Sequence, residues 1–335
     1  MNASSNTVSG ASPPSDLPKA LQTTILCCTF LANLLGNICV CLAVTRGRAL
    51  RQRPSASILA SLAISDLASL SFVLFRLVWL YDLEAACNKY QYFFTLVVSL
   101  LYVSSIHICL LSCDRYVAIV HCLRYRQVVT NTKVGRALLV AWGLPLASTI
   151  IVPCFYQSRG RTHYTAALIG CAEQHNEPND VFKVHTVFNF TLFVVIPFLV
   201  MIFVDCRIAK IAWSQNNRIW PGENLTPELT ELRRKRKKEM KWMRTIIIVV
   251  GAFAFCYLPT FISAVPAAQL GPSRVPMAWK SIFILMTTAK GALNPIIYIF
   301  TSKEFNLAFR IVVRKALPDT LLACIRGSSV SLHHQ

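Results

Sequence analysis

The sequence is short of acid and short of charge altogether. Asp and Glu number 15 among 335 residues against 34 Lys and Arg, and charged side chains make up only 15% of the chain. Soluble domains spend about a quarter of their residues on charge, so a wholly water-exposed surface is excluded. Internal repeats and low-complexity tracts are lacking. No basic segment with an early apolar core opens the chain. Its start is rich in Asn, Ser, Thr and Pro (MNASSNTVSGASPPSD), so the first apolar block is expected to act as its own insertion signal. No cysteine pair has zinc-ligand spacing, and no nucleophile–base pair, phosphate loop or metal set is visible. The chain is not expected to be an enzyme, and no cofactor or metal is implied.

What is present is apolar bulk, 54% of the residues, in blocks rather than alternating stripes. A bilayer span needs roughly 20 apolar residues. Seven blocks meet that length, at about 22–45, 56–80, 91–121, 135–156, 184–209, 242–266 and 277–300. The formal charge of +19 would also suit a nucleic-acid binder, but the basic residues are segregated. Arg46, Arg48, Arg51 and Arg53 share one connection, and Arg124, Arg126, Lys133 and Arg136 another. Arg233 to Lys238 form a third group, and Arg310, Arg314 and Lys315 follow the last block. These alternate with connections poor in Lys and Arg, the positive-inside pattern of a membrane protein.

The expected fold is all-α, a seven-transmembrane helix bundle with a short amphipathic C-terminal helix. Residues 1–21 form an extracellular tail, 22–300 the bundle, and 301–335 a cytoplasmic helix and tail. The expected location is the plasma membrane, with the N-terminus outside. The stretch SKEFNLAFRIVVRK mixes apolar and basic residues as an interfacial helix does, and Cys324 beyond it is a candidate for palmitoylation. Asn2-Ala-Ser4 is an external glycosylation sequon. The matches at Asn189 and Asn224 fall in a span and in a cytoplasmic connection, and are set aside. Most of the 13 cysteines sit within apolar blocks as small hydrophobes. Cys87 and Cys171 fall instead in external connections, where a disulfide persists.

Topology does not separate a receptor from a transporter or channel, so the polar residues inside the spans decide. The spans carry Asn37, Asp66, Asp114-Arg115-Tyr116, Trp142, Pro197, Pro259 in FCYLP and Asn294-Pro295-Ile-Ile-Tyr298, in that order. From about Asn37 to Phe305 this series resembles the rhodopsin-like family of G-protein-coupled receptors. DRY at the end of span three combined with NPIIY at the end of span seven is a specific signature. A transporter would often show inverted repeats and broken helix pairs, which are not found. A non-signalling partner subunit of another receptor is the remaining alternative.

The resemblance implies roles. Arg115 would pair with Asp114, or with Glu239 before span six, and on activation be released to the G protein. A charge whose partner choice biases two helix packings is a two-state element. Pro259 and Pro295 would kink their helices, with Phe253, Cys256 and Tyr257 as the switch beside the first kink and Tyr298 swinging inward. The family usually has Trp at Tyr257 and Tyr at Asp205, so both are departures. Cys87–Cys171 resembles the disulfide tying span three to the second external loop, although Cys87 lies three residues before the usual position, Tyr90. In the family, Asp66, Ser104, Asn294 and the position of Lys290 surround a sodium ion. Lys290 is expected either to pair with Asp66 in place of that sodium or to pack against other polar groups. An opsin would carry its Schiff-base Lys at Thr288.

Amine receptors carry an Asp eighteen residues before the DRY Arg, where this chain has Val97. With Leu101 nearby, that face supplies no anion, so an amine bound in the usual way is not expected. Arg76 is a candidate for binding an acidic group, with pairing to Asp82 or Glu84, or snorkelling, as the alternative. Asn189, His185 and Lys280 are further pocket candidates. The expected partners are a heterotrimeric G protein and an extracellular small molecule, lipid or short peptide; no nucleic acid is expected.

Overall fold

In the first span the buried residues are Gln22, Leu26, Thr29, Asn33, Asn37, Val40, Ala43 and Val44. Their spacing of three and four marks one helical face. Half of that face is polar (Gln22, Thr29, Asn33 and Asn37), while Leu31, Leu35 and Ile38 point outward. Polar inside and apolar outside is the arrangement of a helix whose solvent is lipid. In hydrocarbon every backbone N–H and C=O must be satisfied within the segment, which a helix achieves.

The computed structural model describes residues 18–47, 54–82, 91–121, 123–157, 180–216, 248, 250–256, 258–259, 277–301, 306, 307, 309 and 311. Span one is α1, Lys19–Arg46. Span two is α2, Pro54–Ala68, continued by α3, Leu70–Tyr81. Span three is α4, Gln91–Val120, followed by the short α5, Tyr125–Val128. Span four is α6, Asn131–Gln157. Span five is α7, Asp180–Phe190, a π-helical turn Thr191–Val195, and α8, Ile196–Asn216. Of span six, residues 250–256 and 258–259 are helical. Span seven is α9, Met277–Thr301. Among the described residues four helical stretches are long and apolar enough to cross a membrane: Lys19–Arg46, Pro54–Val78, Leu96–Val120 and Val184–Ile211. α6 and α9, of 27 and 25 residues, match them in length. Asn306, Leu307, Phe309 and Ile311 beyond α9 are helical, with Leu307 and Ile311 exposed.

Two irregularities shape the bundle. Span two breaks at Ser69, where the side chains of Ser69 and Ser71 donate to the carbonyls of Asp66 and Ala68, each at 2.7 Å. Hydroxyls bonding back to the preceding turn compete with the helical ladder and bend it. Span five widens into its π turn just before Pro197, whose ring cannot donate to residue 193 and crowds it. One extra residue re-phases everything N-terminal to the turn against everything after it.

Spans one and seven approach most closely at two glycines. A Cβ on Gly36 would lie 2.7 Å from Pro295 Cβ, and one on Gly291 would lie 2.5 Å from Asn33 Nδ2. The apolar core joins Val40, Leu62, Tyr102, Ile108, Met201, Phe253 and Tyr298 across spans one, two, three, five, six and seven.

Candidate functional site

Two buried polar clusters occupy the middle of the bundle and the C-terminal end of span three. The central one is built on Asp66, 2% exposed. Its Oδ1 accepts from Lys290 Nζ at 2.8 Å and from Ser104 Oγ at 3.1 Å. Its Oδ2 accepts from Asn294 Nδ2 at 2.7 Å. Lys290, equally buried, also donates to Ser104 Oγ. The Asp66 backbone carbonyl accepts from Asn33 Nδ2 at 3.2 Å, and Asn37 Nδ2 donates to Gly291 O at 3.0 Å. Spans two, three and seven are thus joined through one carboxylate, and span one is tied to the same cluster through backbone carbonyls of Asp66 and Gly291. A buried ion pair is tolerable only when further hydrogen bonds satisfy its remaining atoms, and Ser104 and Asn294 do so here.

These residues do not fit a sodium ion. The Lys290 ammonium lies against the Asp66 and Ser104 oxygens that such an ion would need, and a second cation there would meet the first.

At the C-terminal end of span three Arg115, 4% exposed, donates from Nε to Asp114 Oδ2 at 3.0 Å and makes a further contact to that oxygen from Nη2. Nη2 also donates to Ser55 Oγ of span two at 2.9 Å. The other Asp114 oxygen accepts from Tyr125 Oη at 2.7 Å. Tyr125 stands on α5, so the acid after which Arg115 is named in the motif is also tied to the connection between spans three and four. Tyr116 is half-buried, its ring edge-on to His121.

Spans two, three and four are joined at mid-depth by a third group. Ser61 Oγ accepts from Trp142 Nε1 at 2.9 Å and meets His107 Nε2 at 2.8 Å, while His107 Nδ1 lies 2.7 Å from Val103 O. In span six Phe253 is fully buried and Pro259 half-buried; in span seven Pro295 and Tyr298 are buried.

In the opposite half of the bundle, Arg76 and Val97 are both buried, at 4% and 0% exposed, and Leu101 is half-buried. Asn189 is buried between spans four and five, bonded to Ser148 Oγ and 2.9 Å from His185 Nε2. The rings of Tyr102 and Phe193 pack between spans three and five, tilted by 34° with centroids 5.3 Å apart. Lys280 lies on the first turn of α9. Asn2, Cys87, Cys171, Glu239, Tyr257, the side chain of Lys280 and Cys324 lie outside the described residues.

Sequence reasoning missed Asn33, Ser55, His107 and Tyr125. Asn33 had a signal, being one helical turn before Asn37 in an apolar block. Ser55 and Tyr125 had none, since Ser and Tyr are ordinary near membrane surfaces.

Residues 36–298 match the family described as 7 transmembrane receptor (rhodopsin family). The chain is similar to a D(1)-like dopamine receptor of Oreochromis mossambicus, 30% identical over 336 residues that cover 92% of this chain and 80% of that one. It is similar to a D(5)-like dopamine receptor of Takifugu rubripes, 28% identical, with 94% and 72% covered. It is also similar to a histamine H2 receptor of Rattus norvegicus, 28% identical, with 87% and 79% covered. With the family match spanning most of the chain and the polar series of spans one to seven lying inside it, this protein belongs to the rhodopsin family of seven-transmembrane receptors.

Proposed function

We propose that this receptor binds an extracellular small molecule, lipid or short peptide in the outer half of its bundle and activates a heterotrimeric G protein at its cytoplasmic end. It sits in the plasma membrane with its N-terminus outside. The observation that carries this reading is the Asp114–Arg115 pair, buried and tethered to Ser55 and Tyr125 on two neighbouring segments. A charge pair held between segments can be exchanged when those segments move, and a ligand preferring one packing shifts the balance. Phe253, Pro259, Pro295 and Tyr298 supply the packed core that moves with it.

The relatives' names point to amines, but the ligand of this chain is not an amine anchored by a helix-three carboxylate. Val97 occupies that position, fully buried and without charge. Arg76, buried in the outer half of span two, favours a ligand with an acidic group, and Asn189 on span five is a further candidate contact. Lys290 stands where a sodium ion would bind and supplies its charge covalently, so sodium has no allosteric role here.

The test is G-protein activation in cells, across all G-protein classes, by wild type and Arg115→Ala at equal surface level. A library weighted to acids is applied beside dopamine and histamine. Signalling by wild type and not by the variant supports the reading. Silence of both at the surface favours a non-signalling partner subunit, and activation by dopamine or histamine overturns the ligand reading.

A further inference from the structure

The connection from span three to span four carries charge of one sign. Between Asp114 and Glu173 the chain has no acidic residue. Arg124, Arg126, Lys133 and Arg136 fall early in that stretch, and all four are exposed. A solvated surface ordinarily mixes both signs. A cluster of cations without an acid beside it calls for an anion from outside the chain.

The cluster is held in a fixed shape. α5 is closed by backbone bonds from Gln127 and Val128 to Arg124 O, each at 3.0 Å, and from Val129 to Tyr125 O at 2.8 Å. Tyr125, between the two arginines, is anchored on Asp114 at 2.7 Å. Lys133 Nζ donates to Val128 O at 3.1 Å, which draws the first turn of span four onto α5. An ammonium has two further donors to give. Apolar residues border the cations and face outward. Leu123 is 93% exposed and Val128 42%. On span four, Leu139, Val140 and Leu144 are exposed as well, and their spacing places them on one helical face with Arg136. An apolar outer face that runs into cations has the order of a phospholipid, chains first and phosphate at the end.

We propose that α5 and the first turns of span four bind an anionic membrane lipid with a multiply phosphorylated headgroup, of the phosphoinositide class. Guanidinium groups take phosphate oxygens in pairs, and Lys133 adds a point charge. A headgroup with one phosphate cannot engage several of these cations at once. Leu123 and the outer face of span four take the glycerol and acyl region. Bound there, the lipid braces α5 and, with it, the Tyr125 hydroxyl on Asp114. The site rests on the orientation proposed above, which places these residues at the inner leaflet, where such lipids lie.

Nanodiscs present the same lipid on both faces, so a binding test there depends neither on that orientation nor on a G protein. Full-length receptor is reconstituted in phosphatidylcholine alone, with added phosphatidylinositol bisphosphate, and with phosphatidylserine at matched total charge. Retained lipid is counted by native mass spectrometry, and the melting midpoint is read in each. Wild type is expected to retain the bisphosphate lipid about tenfold better than phosphatidylserine, and to melt roughly 2–4 °C higher with it. Arg124→Gln, Arg126→Gln, Lys133→Gln and Arg136→Gln combined are expected to lose both preferences. Arg46→Gln, at an exposed cation ending span one, is expected to keep them. If the combined variant does not fold, Arg124→Gln with Arg126→Gln, and Lys133→Gln with Arg136→Gln, are made separately, and each is expected to weaken the preference about threefold. Equal retention of the two lipids by wild type, or a preference that survives the substitutions, overturns the proposal. So does soluble inositol trisphosphate raising the midpoint as far as the lipid does, which would assign a free polyphosphate instead. The lipid preference found together with an extracellular C-terminus would keep the site and overturn the orientation of the receptor.

Discussion

Lys290 and Asp66 neutralise each other at the centre of the bundle, and neither is tolerable there alone. Removing one partner of a buried pair leaves an uncompensated charge, at a cost of about 3–5 kcal/mol. Lys290→Met is therefore expected to lower stability by that order. Lys290→Met with Asp66→Asn, which leaves no net charge, is expected to recover most of the loss. Thermal melts of the purified receptor check both, and additive losses would show that the two charges do not act as a pair. Much of this cluster was legible in the sequence, because a lysine and an aspartate inside apolar runs each demand a partner. Asn33 was not read, although its spacing from Asn37 places both on one face. The attachments of Arg115 to Ser55 and of Asp114 to Tyr125 were not legible at all, since they depend on where two neighbouring segments end in space.

Spans one and seven owe their close approach to one glycine each. Gly36→Ala would drive a methyl group into Pro295, and Gly291→Ala would drive one into Asn33. Overpacking of this kind costs about 1–3 kcal/mol. The second substitution also disturbs the carbonyl on which Asn37 bonds. Gly251→Ala meets nothing within 4 Å and is expected to be neutral or to add up to about 1 kcal/mol through helix propensity. Melting the three variants together checks the contrast, and equal losses at all three would contradict the packing described. The described helices largely follow the apolar blocks, because length and hydrophobicity decide what crosses a bilayer. Their irregularities were less legible. The break at Ser69 comes from hydroxyls bonding to their own helix, which a hydropathy pattern does not register. The π turn before Pro197 shifts the face of Asn189, so counting back from the proline misplaces it.

At the scale of the whole molecule, charge distribution sets direction. The basic connections are expected in the cytosol. An epitope at the N-terminus should be stained on intact cells, and one at the C-terminus only after permeabilisation; the reverse would overturn the orientation and with it the placing of Arg115. The bundle then has an outer half holding Arg76 and Asn189, a centre closed by a covalently attached cation, and an inner end where Arg115 is held by Asp114 and Ser55. The family could be read from spacing along the chain, whereas the ligand could not, because a pocket is made by side chains from distant spans. The most direct measurement is nucleotide exchange on purified G protein by receptor in nanodiscs, wild type against Arg115→Ala, in sodium chloride and in potassium chloride. Exchange by wild type that is lost in the variant, and is the same in both salts, is the predicted result. Exchange that survives in Arg115→Ala, or that falls when sodium replaces potassium, would contradict it.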